Sequence, residues 1–203
     1  EVDFYDFDAY DKLVEAAGKI DTETLLVVLL GGEAGLRRGE IIALEWSDVD
    51  LPRRVLTIAR SEYRGHVTET KGHRFRTVPI REPLAAALKA HRHLKGPRVL
   101  YSCGIKTPGE STIRLWLAEA QKAAGLKVKG PHTLRHTFCS HLAMSGTPPR
   151  VIQKLAGHQS IVTTERYMHL SPVSLEEAMR HMHRRPAWRC AVPCCVSCPS
   201  PRR

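Results

Sequence analysis

His132 and Arg135 stand three positions apart, His158 follows a glycine, and Tyr167 lies nine residues beyond it. On a helix, His132 and Arg135 project from one face, so an imidazole and a guanidinium converge on a single small anion. A guanidinium presents several donors in a fixed plane and suits a phosphate diester. A phenol is a nucleophile for phosphorus. Upstream, Arg37 sits beside Arg38 and close to Glu40, and Lys71 stands in a polar, glycine-containing stretch from which a long side chain can reach into a groove.

The frame holding these residues is 203 residues long with 42% apolar side chains, ordinary values for a packed domain. Its formal charge of +10 is uneven: residues 1–23 carry −6, residues 180–203 carry +6, and the middle carries +10. A basic body attracts an anionic partner, and the acidic opening points away from it. The longest apolar run, Leu25 to Leu30, stops at Gly31-Gly32, far short of a membrane span. An acidic N-terminus is not a secretory signal, so the expected setting is cytoplasmic, with no membrane partner. The chain does not begin with Met, which suggests a fragment. Four of six cysteines fall after residue 189 among prolines. They lack the two separated pairs of a structural zinc site, and the segment reads as a disordered tail.

Hydrophobic periodicity and caps predict helices over 8–18, 21–35 and 39–44. Between 54 and 80 the pattern alternates, which predicts a small antiparallel hairpin or three-stranded sheet with its polar turn at 69–74 and Lys71 near the tip. Further helices are expected over 83–94, 107–125, 132–146, 148–157, 160–170 and 174–184, with a short strand or extended piece at 99–102. Within 132–146, His136 and His141 are read as packing or surface residues. The fold class is α+β: a mainly helical domain over residues 1–185 with a small antiparallel β-sheet, followed by the tail, 186–203.

Five segments carry a family resemblance: Ala34-Gly35-Leu36-Arg37-Arg38-Gly39-Glu40, Thr70-Lys71-Gly72-His73-Arg74, His132-Thr133-Leu134-Arg135, Leu155-Ala156-Gly157-His158 and Thr164-Glu165-Arg166-Tyr167. In this order and spacing the chain resembles the catalytic domain of the tyrosine recombinases of the phage integrase family. Thr133 departs from the acidic residue that many relatives carry there. No DNA-clamping helical domain precedes residue 1, so an incomplete recombinase is expected.

The resemblance implies cleavage and rejoining of double-stranded DNA through a 3′-phosphotyrosyl bond, for integration or excision of a mobile element, by a homotetramer in the full-length form. It assigns Tyr167 as nucleophile, Arg37 and Arg135 as the phosphate clamp, Lys71 as general acid, and His132 and His158 either as proton acceptors or as donors to phosphate oxygens. Glu40 is expected to orient Arg37, and Arg38, Arg74 and Arg76 to touch DNA. Two guanidinium groups can stabilise charge building on phosphorus without a metal or other cofactor. A metal-dependent nuclease would show clustered carboxylates, whereas Glu33 and Glu40 each lack an acidic partner in their segment. The alternatives are a type IB topoisomerase-like strand transferase and a noncatalytic DNA-binding remnant.

Overall fold

Asp21 makes the first corner of the fold. It ends α1 (Phe7–Ile20) and starts α2 (Thr22–Gly32), where its side chain accepts from the Thr24 amide at 2.6 Å. The computed structural model describes residues 2–69, 75–102 and 106–172. Lys71, Arg74, the helix expected over 174–184 and the Cys-rich tail lie outside them. No helix among the described residues is long and apolar enough to cross a membrane.

Helix α2 is apolar on all sides because it is buried on all sides, with Leu26 to Leu30 at most 1% exposed. Its glycines admit neighbours closely: a Cβ on Gly31 would fall 2.7 Å from Leu134, and one on Gly32 would fall 2.3 Å from Tyr10. The chain then forms α3 (Arg38–Ala43) and a 3-10 turn at Trp46–Asp48. Strands β1 (Val49–Asp50), β2 (Val55–Ile58) and β5 (Arg76–Pro79) make an antiparallel sheet in the order β1-β2-β5, with Leu56 opposite Val78. Strands β3 (Arg60–Tyr63) and β4 (His66–Glu69) pair separately. Helices α4 (Glu82–Ala90), α5 (Glu110–Ala123), α6 (His132–Met144), α7 (Pro149–Ala156) and α8 (Ile161–Glu165) follow, with a 3-10 turn at Met168–Leu170.

One core joins α2 and α3 to the three-stranded sheet and α4, through Leu29, Ile41, Leu56, Val78 and Leu88. A second packs α1 against α5 and α6 through Leu13, Leu117 and Leu134. A third, smaller one gathers Phe138, Cys139, Ile152, Ala156 and Tyr167.

The mainly helical α+β architecture stands, with local differences. The expected single sheet is two sheets, because the chain turns at Arg64 (φ 50°) and Gly65 (φ 80°) and returns as β4 before reaching β5. Residues 99–102 form no strand. Val99 instead donates to the Leu44 carbonyl at 2.9 Å, and the one ladder contact there is a bridge from Ser102 to Lys106. Helix α4 stops at Ala90, beyond which the His91 and His93 rings both meet the Val99 carbonyl at 3.0 Å. The expected 160–170 helix breaks after Glu165, which leaves Tyr167 at a bend between two short turns.

Candidate active site

Gly35 sets the geometry of Arg37 and Arg135. Its φ of +65° turns the chain out of α2 so that Arg37 caps the start of α3. Its carbonyl accepts from Arg135 Nη1 at 2.6 Å. A Cβ there would meet the Phe138 ring at 2.4 Å, so one glycine seats the Arg37 turn directly on α6.

Glu40 lies beneath Arg37 and is 2% exposed. Its Oε2 accepts from the Arg37 amide at 2.8 Å and its Oε1 from Arg37 Nη1 at 3.0 Å. Arg76, at the start of β5, adds a bidentate pair at 2.9 and 2.7 Å. Burial alone would raise the Glu40 pKa, but the Arg76 and Arg37 hydrogen bonds and charges outweigh it and hold the carboxyl below its usual range. Glu40 thus holds hydrogen bonds from both Arg37 and Arg76.

The third edge of the site is the end of α7. Gly157 closes that helix in the left-handed region at φ 68°. Its carbonyl accepts from Arg37 Nη2 at 3.1 Å, and Arg76 Nε donates to the Leu155 carbonyl at 3.0 Å. A Cβ on Gly157 would come 2.9 Å from Arg76 Cδ. Arg76 was expected to touch DNA. Its Nε, Nη1 and Nη2 are instead all engaged inside the protein, and its side chain is only 12% exposed. Its place is that of a strut between α3, β5 and α7. Arg38 pairs with Glu110 at the start of α5, at 2.6 Å.

His158 leaves this corner, and its Nδ1 meets Thr164 Oγ1 at 2.9 Å. Its ring lies parallel to that of Tyr167, 6.3 Å away with 7° between planes. Tyr167 is 3% exposed, and its hydroxyl lies 2.6 Å from His136 Nδ1. Cys139 lies with Tyr167 in the same small core. His136 was read as a packing or surface residue, but it touches the phenol. Its signal was local: His132, Arg135, His136 and Cys139 fall at i, i+3, i+4 and i+7, one stripe of α6. His141, in contrast, packs against Phe7, with ring centroids 4.1 Å apart.

The electrostatics are lopsided. Arg135 is 5% exposed and its Nη2 is buried without a hydrogen-bond partner among the described residues. Burial, then Arg37, lower its pKa to about 10, which leaves it a cation at neutral pH. Arg37 and Arg76 pair directly with the Glu40 carboxylate, and Arg135 feels its charge without touching it. The histidines respond to that excess. Burial, followed by Arg135, Arg37 and Arg76, pushes His158 down to about 4. His132, at the first position of α6, is lowered by partial desolvation of its ring and then by Arg38, Arg135 and Arg37. Burial also lifts the Tyr167 phenol to about 12, with Cys139 adding to the rise and Arg135 and Arg166 opposing it. The site is a preformed cationic seat for an anion beside a protonated phenol.

Among the described residues, no group of three or more His, Cys, Asp and Glu side chains could hold a metal ion. A cavity of about 660 Å³, lined by Phe7, Tyr10, Val78, Leu142 and Leu155 among others, contains neither Arg37 nor Arg135.

Residues 3–173 match the model of the phage integrase family. Tyrosine recombinase XerA of Pyrococcus furiosus is 33% identical over 174 residues, covering 83% of this chain and 57% of its own length. The chain spans about half the length of the curated relatives it matches. Of solved structures, a XerA recombinase superposes with a TM-score of 0.71 at 29% identity, over 90% of this chain and 66% of that one. The catalytic domain of bacteriophage HP1 integrase gives 0.68 at 26% identity, over 89% of this chain and 95% of its own. With the family model covering most of the sequence and the helical fold shared with these structures, the chain belongs to the phage integrase family and carries the catalytic-domain fold of a tyrosine recombinase.

Proposed function

We propose that this chain is the catalytic part of a site-specific recombinase, one that breaks and rejoins double-stranded DNA through a 3′-phosphotyrosyl intermediate during integration or excision of a mobile element. The observation that carries the reading is the buried Nη2 of Arg135, which has no hydrogen-bond partner among the described residues and lies in the field of Arg37, Arg76, Glu40 and Tyr167. A buried donor left open is costly, and a phosphate oxygen would satisfy it. Arg37 and Arg135 then hold the nonbridging oxygens, while Glu40 and Arg76 keep Arg37 in place. The neutral rings of His132 and His158 donate to the same phosphate.

In the proposed step Tyr167 Oη bonds to phosphorus, the bond from phosphorus to the 5′ oxygen breaks, and that oxygen takes up a proton. Lys71 is the proposed donor of that proton. Arg38 and Arg74 are proposed to contact flanking phosphates, Arg38 by exchanging its Glu110 partner. The energy of the broken ester is kept in the phosphotyrosyl bond, so rejoining needs no nucleotide cofactor. For the full-length protein the reading implies four copies acting on two duplexes.

The test is a pool of nicked, random-sequence duplexes incubated with the chain, with adducts stable to denaturation separated and sequenced. The parent should form them, and Tyr167→Phe should form none while still binding DNA. No adduct from the parent, or an undiminished yield from the Phe variant, overturns the reading.

A further inference from the structure

The phenol of Tyr167 needs a base. At a pKa of about 12 it is almost wholly protonated at neutral pH, and its attack on phosphorus must release a proton. Of the side chains around it, the Cys139 thiol is itself pushed up to about 11 by burial and stays protonated. His158 lies against the face of the ring, with its Nδ1 engaged by Thr164. His136 alone among the described residues brings an imidazole nitrogen to the hydroxyl, at 2.6 Å.

We propose that His136 is the general base of the strand-cleavage step, accepting the Tyr167 proton on Nδ1 as Oη bonds to phosphorus. The proposal rests on the transesterase reading above and names a group that reading does not assign. With its own proton on Nε2, the neutral ring presents a lone pair on Nδ1 to the phenolic hydrogen. Proton transfer leaves an imidazolium at position 136, a new bond from Oη to phosphorus, and a departing 5′ oxygen that is protonated from elsewhere. On rejoining, the imidazolium returns the proton to Oη.

The charges facing His136 make its basicity depend on substrate. Burial is the largest cause of its lowered pKa, and His132 and Arg135 from its own helix and Arg166 from beyond α8 lower it further, against an opposing pull from Asp3. Without DNA these surroundings disfavour the imidazolium and favour a ring able to accept. A bound phosphate diester brings a negative charge into the field of Arg135 and Arg37, which raises the proton affinity of His136 when the proton must move. The base is weak in the empty site and strengthened in the loaded one.

His136→Asn separates this role from simple positioning, because the Asn side chain can place an acceptor near the Nδ1 site but cannot take up a proton. On the duplexes that the parent attacks, the Asn variant should form adducts slower by about 100-fold to 10,000-fold, the range of a lost general base. Its rate should climb with pH as phenolate forms unaided, where the parent levels off once His136 is neutral. DNA binding and melting temperature should stay close to the parent values, and His136→Gln serves as a second variant should Asn disturb α6. An Asn variant within threefold of the parent, with the same pH profile, overturns the proposal. A faster variant also overturns it and makes His136 a restraint on the phenol. If the parent forms no adduct at all, the transesterase reading fails and the base falls with it, whereas adducts at full rate from the variant remove only the base.

Discussion

Arg76→Gln should cost this protein far more stability than DNA affinity. The side chain is 12% exposed and its partner Glu40 is 2% exposed, with N···O distances of 2.7 and 2.9 Å between them. Removing one member of a buried pair strands the other, a loss of about 3–5 kcal/mol. Arg37 still pairs with Glu40 from a position 40% exposed, so the lower end, about 3 kcal/mol, is the better figure. For a domain of this size that corresponds to a melting temperature lower by roughly 6–12 °C. The exposed Arg53–Asp50 pair, 85% and 44% exposed at 3.8 Å, supplies the contrast. Its loss should be worth about 0–1 kcal/mol. Urea unfolding of the parent, Glu40→Gln, Arg76→Gln and the double variant closes a cycle in which the double loses less than the sum of the singles. A loss below about 1 kcal/mol for Arg76→Gln, joined to weaker DNA binding with a shallower salt slope, would refute the strut and return Arg76 to the DNA surface.

Two other outcomes follow from the geometry. Gly157 and Gly125 both have φ 68°, but a Cβ meets Arg76 only at Gly157 and open space at Gly125. Both alanine variants should therefore lose about 1 kcal/mol to backbone strain, with a further loss at Gly157 alone; equal denaturation midpoints would refute the close packing on Arg76. His158 has a folded pKa of about 4 against an ordinary 6.5, so the unfolded chain takes up the proton first. Its contribution to stability is fully present above pH 6.5 and is lost as pH falls towards 4. His158→Gln should flatten part of the acid slope measured by unfolding between those limits, and an unchanged slope would mean that the ring does not feel the arginine field.

Much of the site was legible because the recombinase motifs sit on strong local signals. Gly35 and Gly157 punctuate helix ends, and the structure shows the left-handed turns that place Arg37 and His158. The run Leu25 to Leu30 has no polar face, and its helix is buried on every side. The extra hairpin was less visible. Arg64-Gly65 is a short turn signal inside a polar stretch, and the more conspicuous Lys71-Gly72 drew the turn onto the later segment.

The partners of Arg76 and His136 were hidden from the sequence for one physical reason. Periodicity tells which residues share a face, but not what that face meets. Arg76 precedes the buried Val78 by two positions, so strand alternation already put it on the inner side. Its charge argued for solvent because Glu40, the carboxylate that makes burial tolerable, lies 36 residues away. His136 likewise shares a stripe with His132 and Arg135, while the phenol that gives it a role is 31 residues further on. In both cases a polar side chain at an inward position needed a distant partner of matching chemistry. A search for that partner, Glu40 for an arginine and Tyr167 for a histidine, converts the local pattern into a contact that mutation can test.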